Sequence, residues 1–140
     1  MMKHCETFDH TADVGLAARA DTLGELFEAL AEGLADVICL RHRVAAKEVR
    51  QVAVAAEDLE ALAVDFLGEV MNVMQVGHFM LAKCRVREIS AAAAVKAELS
   101  GQPYDPARHE IATEVKAVTY HQLRIAREGR LWTGRVILDI

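Results

Sequence analysis

Trp132-Thr133-Gly134-Arg135-Val136-Ile137-Leu138-Asp139-Ile140 closes the chain. Val136, Ile137 and Leu138 are the residue types that fill sheet interiors, so the segment is expected to be a core strand. It then ends on an acid, which is unusual beside such a run. Either the chain end frays and the Asp139 carboxylate is solvated, or the apolar Ile140 packs and the buried charge needs a counter-ion, a metal or Lys116. At the other end of the chain, Asp9-His10-Thr11-Ala12-Asp13 is dense in polar groups just before the strand-like run of Val14, Leu16 and Ala18. If the fold brings these two ends together, their oxygen atoms form a site for a hard cation. The alternative is that Asp9, Thr11 and Asp13 only shape a turn through side-chain-to-backbone bonds.

Two amphipathic helices separate the strands. Thr22 followed by Glu25 reads as a capping box, and Leu23, Leu26, Phe27, Leu30, Leu34, Val37 and Ile38 follow at helical spacing. A second helix is expected from Glu57-Asp58, whose acids suit an N-terminus. Its buried stripe is Leu59, Leu62, Ala63, Phe66, Leu67, Val70, Val73 and Met74, and Gly77 is its stop. Alternating patterns predict strands at residues 49–54, 80–86, 91–99, 115–125 and 131–138. Turns are expected at residues 88–90 and at Glu128-Gly129. In that 115–125 strand, regular alternation puts Lys116 with Val118 and Tyr120, and puts His121 with Leu123 and Ile125. The order gives an α+β fold, with the two helices covering one face of a mostly antiparallel mixed sheet.

At 140 residues the chain fits a single domain, residues 1–140, with its own core. Hydrophobic residues make up 53% and aromatics only 5%, so that core is aliphatic. The three cysteines, Cys5, Cys39 and Cys84, are widely spaced and lack a CxxC, which argues against a disulfide framework or a zinc site. Cys39 and Cys84 read as buried small hydrophobes. No apolar run approaches membrane-spanning length and no signal peptide precedes the first strand, so the expectation is cytoplasmic with no membrane partner. A formal net charge of -5 is unlike a protein that grips nucleic acid by itself, so RNA contact is expected only indirectly, through a partner. Arg41, Arg43, Lys47 and Arg50 read as a solvated loop. Read as residues alone, Lys116 is a solvated lysine and His121 a satisfied sheet residue. No P-loop, nucleophile elbow, GxGxxG or HExxH occurs.

Four segments taken together resemble the archease family: Phe8-Asp9-His10-Thr11-Ala12-Asp13-Val14-Gly15-Leu16, then Thr22-Leu23 with Glu25-Leu26-Phe27, then Val115-Lys116-Ala117-Val118-Thr119-Tyr120-His121, then Val136-Ile137-Leu138-Asp139-Ile140. The resemblance runs from end to end and implies a strand-helix-strand-strand module elaborated into a small α+β domain. It also implies a function. Archeases are non-enzymatic cofactors of the GTP-dependent tRNA-splicing RNA ligase, whose guanylylation and multiple turnover they promote. By the same resemblance Asp13, Asp139 and the main-chain oxygen of Ile140 hold a divalent cation, Ca2+ in the first instance, with Mg2+ or Mn2+ also suited to oxygen donors. Lys116, with His10 and His121, is assigned to activation of the partner. An alternative partner is another RNA enzyme, such as a tRNA methyltransferase, served by a chaperone or specificity factor. A stand-alone phosphoesterase is disfavoured, because only two side-chain carboxylates converge.

Overall fold

The computed structural model describes residues 3–10, 13–90 and 92–140, with the side chains of Asp9 and His10 left out. Thr11, Ala12 and the polar side chains of Asp9 and His10, all part of the expected acidic cluster, therefore lie outside the described residues. The elements run β1 (Lys3–His10), β2 (Asp13–Ala20), α1 (Leu23–Ile38), a short 3-10 helix (Arg41–Arg43), β3 (Glu48–Ala55), α2 (Leu59–Gln75), β4 (Phe79–Ser90), β5 (Ala94–Pro103), β6 (Ala117–Glu128) and β7 (Leu131–Asp139). The fold is α+β, with both helices packed against antiparallel β-structure. The strands divide into two sheets, a four-stranded one in the order β1-β2-β7-β6 and a three-stranded one in the order β3-β5-β4. α1 packs on β4, β2 and β1, while α2 packs on β6, β3 and β4, so each helix touches both sheets.

Both helices start where the sequence places them. Thr22 Oγ1 accepts the Glu25 N–H at 3.1 Å and donates to the Glu25 carboxylate at 2.8 Å. The hydroxyl thus takes the carboxylate that the capping box would aim at the cap amide. Asp58 caps α2 by accepting from the Ala61 N–H at 2.8 Å. Leu26, Phe27, Leu30, Leu34 and Ile38 of α1 and Leu62, Phe66, Leu67, Val70 and Met74 of α2 are buried. The Phe27 and Phe66 rings, with centroids 5.5 Å apart, lock the helices together. Cys39 and Cys84 are buried thiols, as expected.

Three local expectations change. β1 was not expected as a strand, because Lys3, His4 and Glu6 carry no apolar alternation; its pairing with β2 supplies the order instead. The β4–β5 turn lies beyond Ser90, not at residues 88–90, with Ala93 at φ 76. An alanine run carries no glycine or asparagine to mark that position. Arg41 is not a solvated loop cation. Its Nη1 donates to the Ala82 carbonyl at 3.2 Å and its Nε lies 3.3 Å from Asp36.

Arg41 belongs to a device that closes the open edge of β4. Along that edge the Cys84 N–H donates to Glu32 at 3.0 Å and the Val86 N–H donates to Glu28 at 2.8 Å. Lys3 of β1 sits 3.1 Å from Glu32 and 3.4 Å from Glu28. Carboxylates one helical turn apart on α1 thus satisfy alternate edge amides, and cations from either side neutralise them. Burial works against the charge on Lys3, but the hydrogen bonds and charges of Glu32 and Glu28 outweigh it and hold the ammonium above its ordinary value.

Candidate functional site

The two extremities meet at the centre of the four-stranded sheet. β2 and β7 run antiparallel in a register that sets Asp13 directly opposite Asp139, Val14 opposite Leu138 and Leu16 opposite Val136. Leu16, Val136 and Leu138 face the helices and are buried in the core. Alternation therefore puts Asp13 and Asp139 together on the other face of the sheet. Directly opposed residues hold their Cβ atoms roughly 4.5–5.5 Å apart. Like charges placed on directly opposed positions of one face repel each other. A shared cation turns that repulsion into attraction. Register continues the row to His10, opposite Asp13, and to Ala117, opposite Asp139.

The neighbouring row of the same face holds Phe8, Gly15, Ile137 and Thr119. The Phe8 ring lies directly over Gly15, where any Cβ would collide with it. The Arg135 guanidinium covers the ring at 4.2 Å. Ile137 is only 1% exposed although it lies outside the main core. The acidic row thus rests on a small packed layer of its own, which keeps its backbone rigid.

Lys116 is placed by backbone bonds. The Gln75 amide at the end of α2 accepts the Val115 N–H and donates to the Val115 carbonyl, both at 2.8 Å. The Lys116 N–H then donates to the Asp139 carbonyl at 2.7 Å. Ala117, not Lys116, holds the register position opposite Asp139. Lys116 instead lines a groove between β3, α2 and β6, with its side chain exposed.

His121 departs from the regular strand. Between Thr119, opposite Ile137, and Arg124, opposite Arg135, β6 carries extra residues that oppose nothing, and Gln122 adopts φ 53. This bulge breaks the alternation that would put His121 beside Leu123 and Ile125. Thr119 Oγ1 anchors it, donating to the Ile137 carbonyl at 2.9 Å and accepting from the His121 N–H at 3.3 Å. The bulge leaves His121 exposed and presents Tyr120 at 61% exposure.

The sheet thus gathers Asp13, Asp139 and the Lys116 backbone at one end of β2, β6 and β7, with the His10 backbone beside them. Among the described residues no group of three or more His, Cys, Asp or Glu side chains converges as a metal cluster. A cation on this row would find two carboxylates and main-chain oxygen from the chain, and the remaining positions of a six- to eight-oxygen shell would be open. Gln75, which fixes the backbone beside Lys116, carried no sequence signal, since it bonds to backbone 40 residues along the chain.

The sequence profile of the Archease protein family (MTH1598/TM1083) matches residues 5–140. The chain belongs to the archease family. It is 38% identical over 143 residues to Protein archease of Pyrococcus abyssi, covering 99% of this chain and 100% of that one. It is 39% identical to Protein archease of Thermococcus kodakarensis at the same coverage. The solution structure of Methanobacterium thermoautotrophicum protein 1598 superposes with a TM-score of 0.80 at 32% identity, covering 97% of this chain and 98% of that one. The crystal structure of an archease from Thermotoga maritima, described as a possible chaperone, shares the fold with a TM-score of 0.62 at 19% identity, over 96% of each chain.

Proposed function

We propose that this chain is a non-enzymatic activator of a GTP-dependent RNA ligase, which joins 2′,3′-cyclic or 3′-phosphate RNA ends to 5′-hydroxyls. The observation that carries the reading is the direct opposition of Asp13 and Asp139 on paired central strands, next to the backbone of Lys116. Asp13, Asp139 and the main-chain oxygen of Ile140 hold a divalent cation, Ca2+ before Mg2+ or Mn2+, because oxygen donors on two strands do not impose the near-ideal octahedron that Mg2+ demands. The cation supplies fixed positive charge at the tip and leaves coordination positions for a group on the ligase. Lys116, with His10 and the bulge residue His121, contacts the ligase around that point. The tip acts by electrostatic preorganisation in trans, helping to arrange the ligase's own nucleotide site for guanylylation.

The decisive test is guanylylation of the ligase with the parent protein, Asp13→Ala and Asp139→Ala, with Ca2+ affinity measured alongside by calorimetry. Loss of both stimulation and binding supports the reading. Full stimulation by either variant ends it. Pull-down from a cell extract separates the ligase from a tRNA methyltransferase as the partner.

A further inference from the structure

Gly68 occupies the middle of α2, where glycine costs about 1 kcal/mol relative to alanine. Among the described residues no close packing at Gly68 repays that cost. A Cβ built at Gly68 meets no atom within 4 Å. Gly33 of α1 is different, because there a Cβ would press on the Cys5 side chain. Gly68 faces an open groove of about 610 Å³ lined by Ala53, Val54 and Ala55 of β3, by Asp65, Gly68 and Glu69 of α2, and by Lys116, Ala117 and Val118 at β6.

Both walls of this groove are sheet edges. β6 pairs only with β7 and β3 only with β5 among the described residues. An open edge is a template for another strand unless it is blunted. The β4 edge is blunted by Glu28, Glu32 and Arg41. β6 is blunted beyond Thr119 by its bulge. The stretch 116–119 has no such cover, and beneath it lie the small side chains of β3 and the bare backbone of Gly68.

We propose that this groove receives one extended, basic segment of the partner enzyme, which adds as a strand to the edge of β6 and passes over Gly68. Main-chain bonds to β6 supply affinity, and alternate side chains of the segment meet Asp65 and Glu69. Those two exposed carboxylates, one helical turn apart, face a groove that holds a single lysine, so the complementary segment is basic. An RNA-processing enzyme exposes such segments to bind phosphate. Lys116 at the rim disfavours pairing with a second copy of the same edge, where two ammonium groups would meet. The groove ends where Ala117 pairs with Asp139, so a strand seated in it brings its enzyme to the acidic row.

The proposal rests on the ligase reading given above, and the experiment separates the two. Ligase binding is measured by calorimetry for the parent, for Gly68→Trp and for the double variant Asp65→Lys/Glu69→Lys, with melting temperature and Ca2+ affinity recorded for each. Gly68→Trp fills open space on a helix surface, so it is expected to melt no lower than the parent and to bind Ca2+ as the parent does. Its ligase affinity is expected to fall at least tenfold, as is that of the charge-reversed variant. In the parent complex, hydrogen exchange is expected to slow at residues 117–119. Parent-like ligase affinity in Gly68→Trp overturns the groove and leaves the ligase reading standing. Exchange protection confined to the acidic row does the same. A parent protein that does not bind the ligase overturns both.

Discussion

Replacing Gln75 with leucine tests whether the end of α2 positions the chemistry of the tip. The glutamine amide makes two hydrogen bonds, each 2.8 Å, to the N–H and the carbonyl of Val115. Val115 is 1% exposed, so water reaches neither group easily. Each buried backbone group left without a partner costs about 1–3 kcal/mol, and partial relaxation brings the pair to roughly 2–4 kcal/mol. For a chain of this length 1 kcal/mol moves the melting temperature by about 3–4 °C, so Gln75→Leu should melt about 6–15 °C lower. Gln75→Glu separates packing from bonding. Its carboxylate still accepts the Val115 N–H but opposes the Val115 carbonyl, so it should fall between the parent and the leucine variant. Below the melting range, Gln75→Leu should also lose ligase stimulation, because Lys116 and its bond to the Asp139 carbonyl follow directly on Val115. The measurements are differential scanning calorimetry and the guanylylation assay at a temperature where both proteins are folded. A leucine variant that melts within 1–2 °C of the parent refutes the clamp.

Other perturbations have equally defined outcomes. Asp139→Asn removes one of the two carboxylates proposed to hold the cation, so the stabilisation that Ca2+ gives the parent, about 2.7 kcal/mol at a hundredfold excess over Kd, should vanish. A Ca2+-induced rise in melting temperature as large in Asp139→Asn as in the parent would contradict the shared site. Glu32→Ala leaves the Cys84 N–H unpaired and strips a carboxylate from Lys3 and Arg41, a loss of about 3 kcal/mol by urea denaturation; Glu32→Gln, which keeps an acceptor, should lose less. Burial, with Asp36 and Glu6 nearby, pushes the Cys5 thiol up to about 12 from 9.0, and burial raises Cys84 further, aided by Glu32 and Glu28. The folded chain thus holds these protons more tightly than the unfolded one, so their stabilisation is complete below pH 9 and is lost as pH climbs from 9 towards 12. The urea midpoint should fall between pH 8.5 and pH 11 and fall less in Cys5→Ala; an unchanged midpoint rules out this account.

How much of this was legible in the chain follows from the range of each interaction. Thr22, Glu25 and Asp58 announce helix starts because their partners lie three residues away. The apolar stripes of α1 and α2 were readable because burial repeats at the helical period. β1 could not be read, since its residues are ordered by Arg19, Ala17 and Gly15 across the ladder rather than by their own pattern. The division into two sheets was equally hidden. It depends on β6 ending one sheet and β3 ending the other, which no local pattern encodes. At the acidic row, alternation alone put Asp139 on the face opposite Leu138, but only the β2–β7 register could bring Asp13 to it. The family resemblance carried that step. For Lys116 the sequence left the placement open, because a clamp from α2 on the preceding Val115 sets where the chain enters β6.

The position of the acidic row within the sheet gives a physical reason for its reach. β2 and β7 are the inner strands, each paired on both sides, so the Asp13 and Asp139 backbones are held by ladders rather than by a loop. A cation bound there needs no reordering of the chain, and the free energy of binding goes into the contact instead of into closing a flexible site. The apolar row behind it, with Ile137 buried under its own cover, resists tilting of the two carboxylates. What remains adjustable is the rim: Lys116 at the groove, and His121 with the exposed Tyr120 on the bulge. A charge held by ladders and ringed by exposed side chains suits the role proposed for this tip, completing a site on another protein. Tyr120→Ala should therefore weaken ligase binding without changing Ca2+ affinity, whereas Ile137→Ala should weaken the cation as well, because the floor of the row gives way. Parallel calorimetric titrations of the two variants distinguish these outcomes, and equal loss of Ca2+ affinity in both would contradict a division between fixed row and exposed rim.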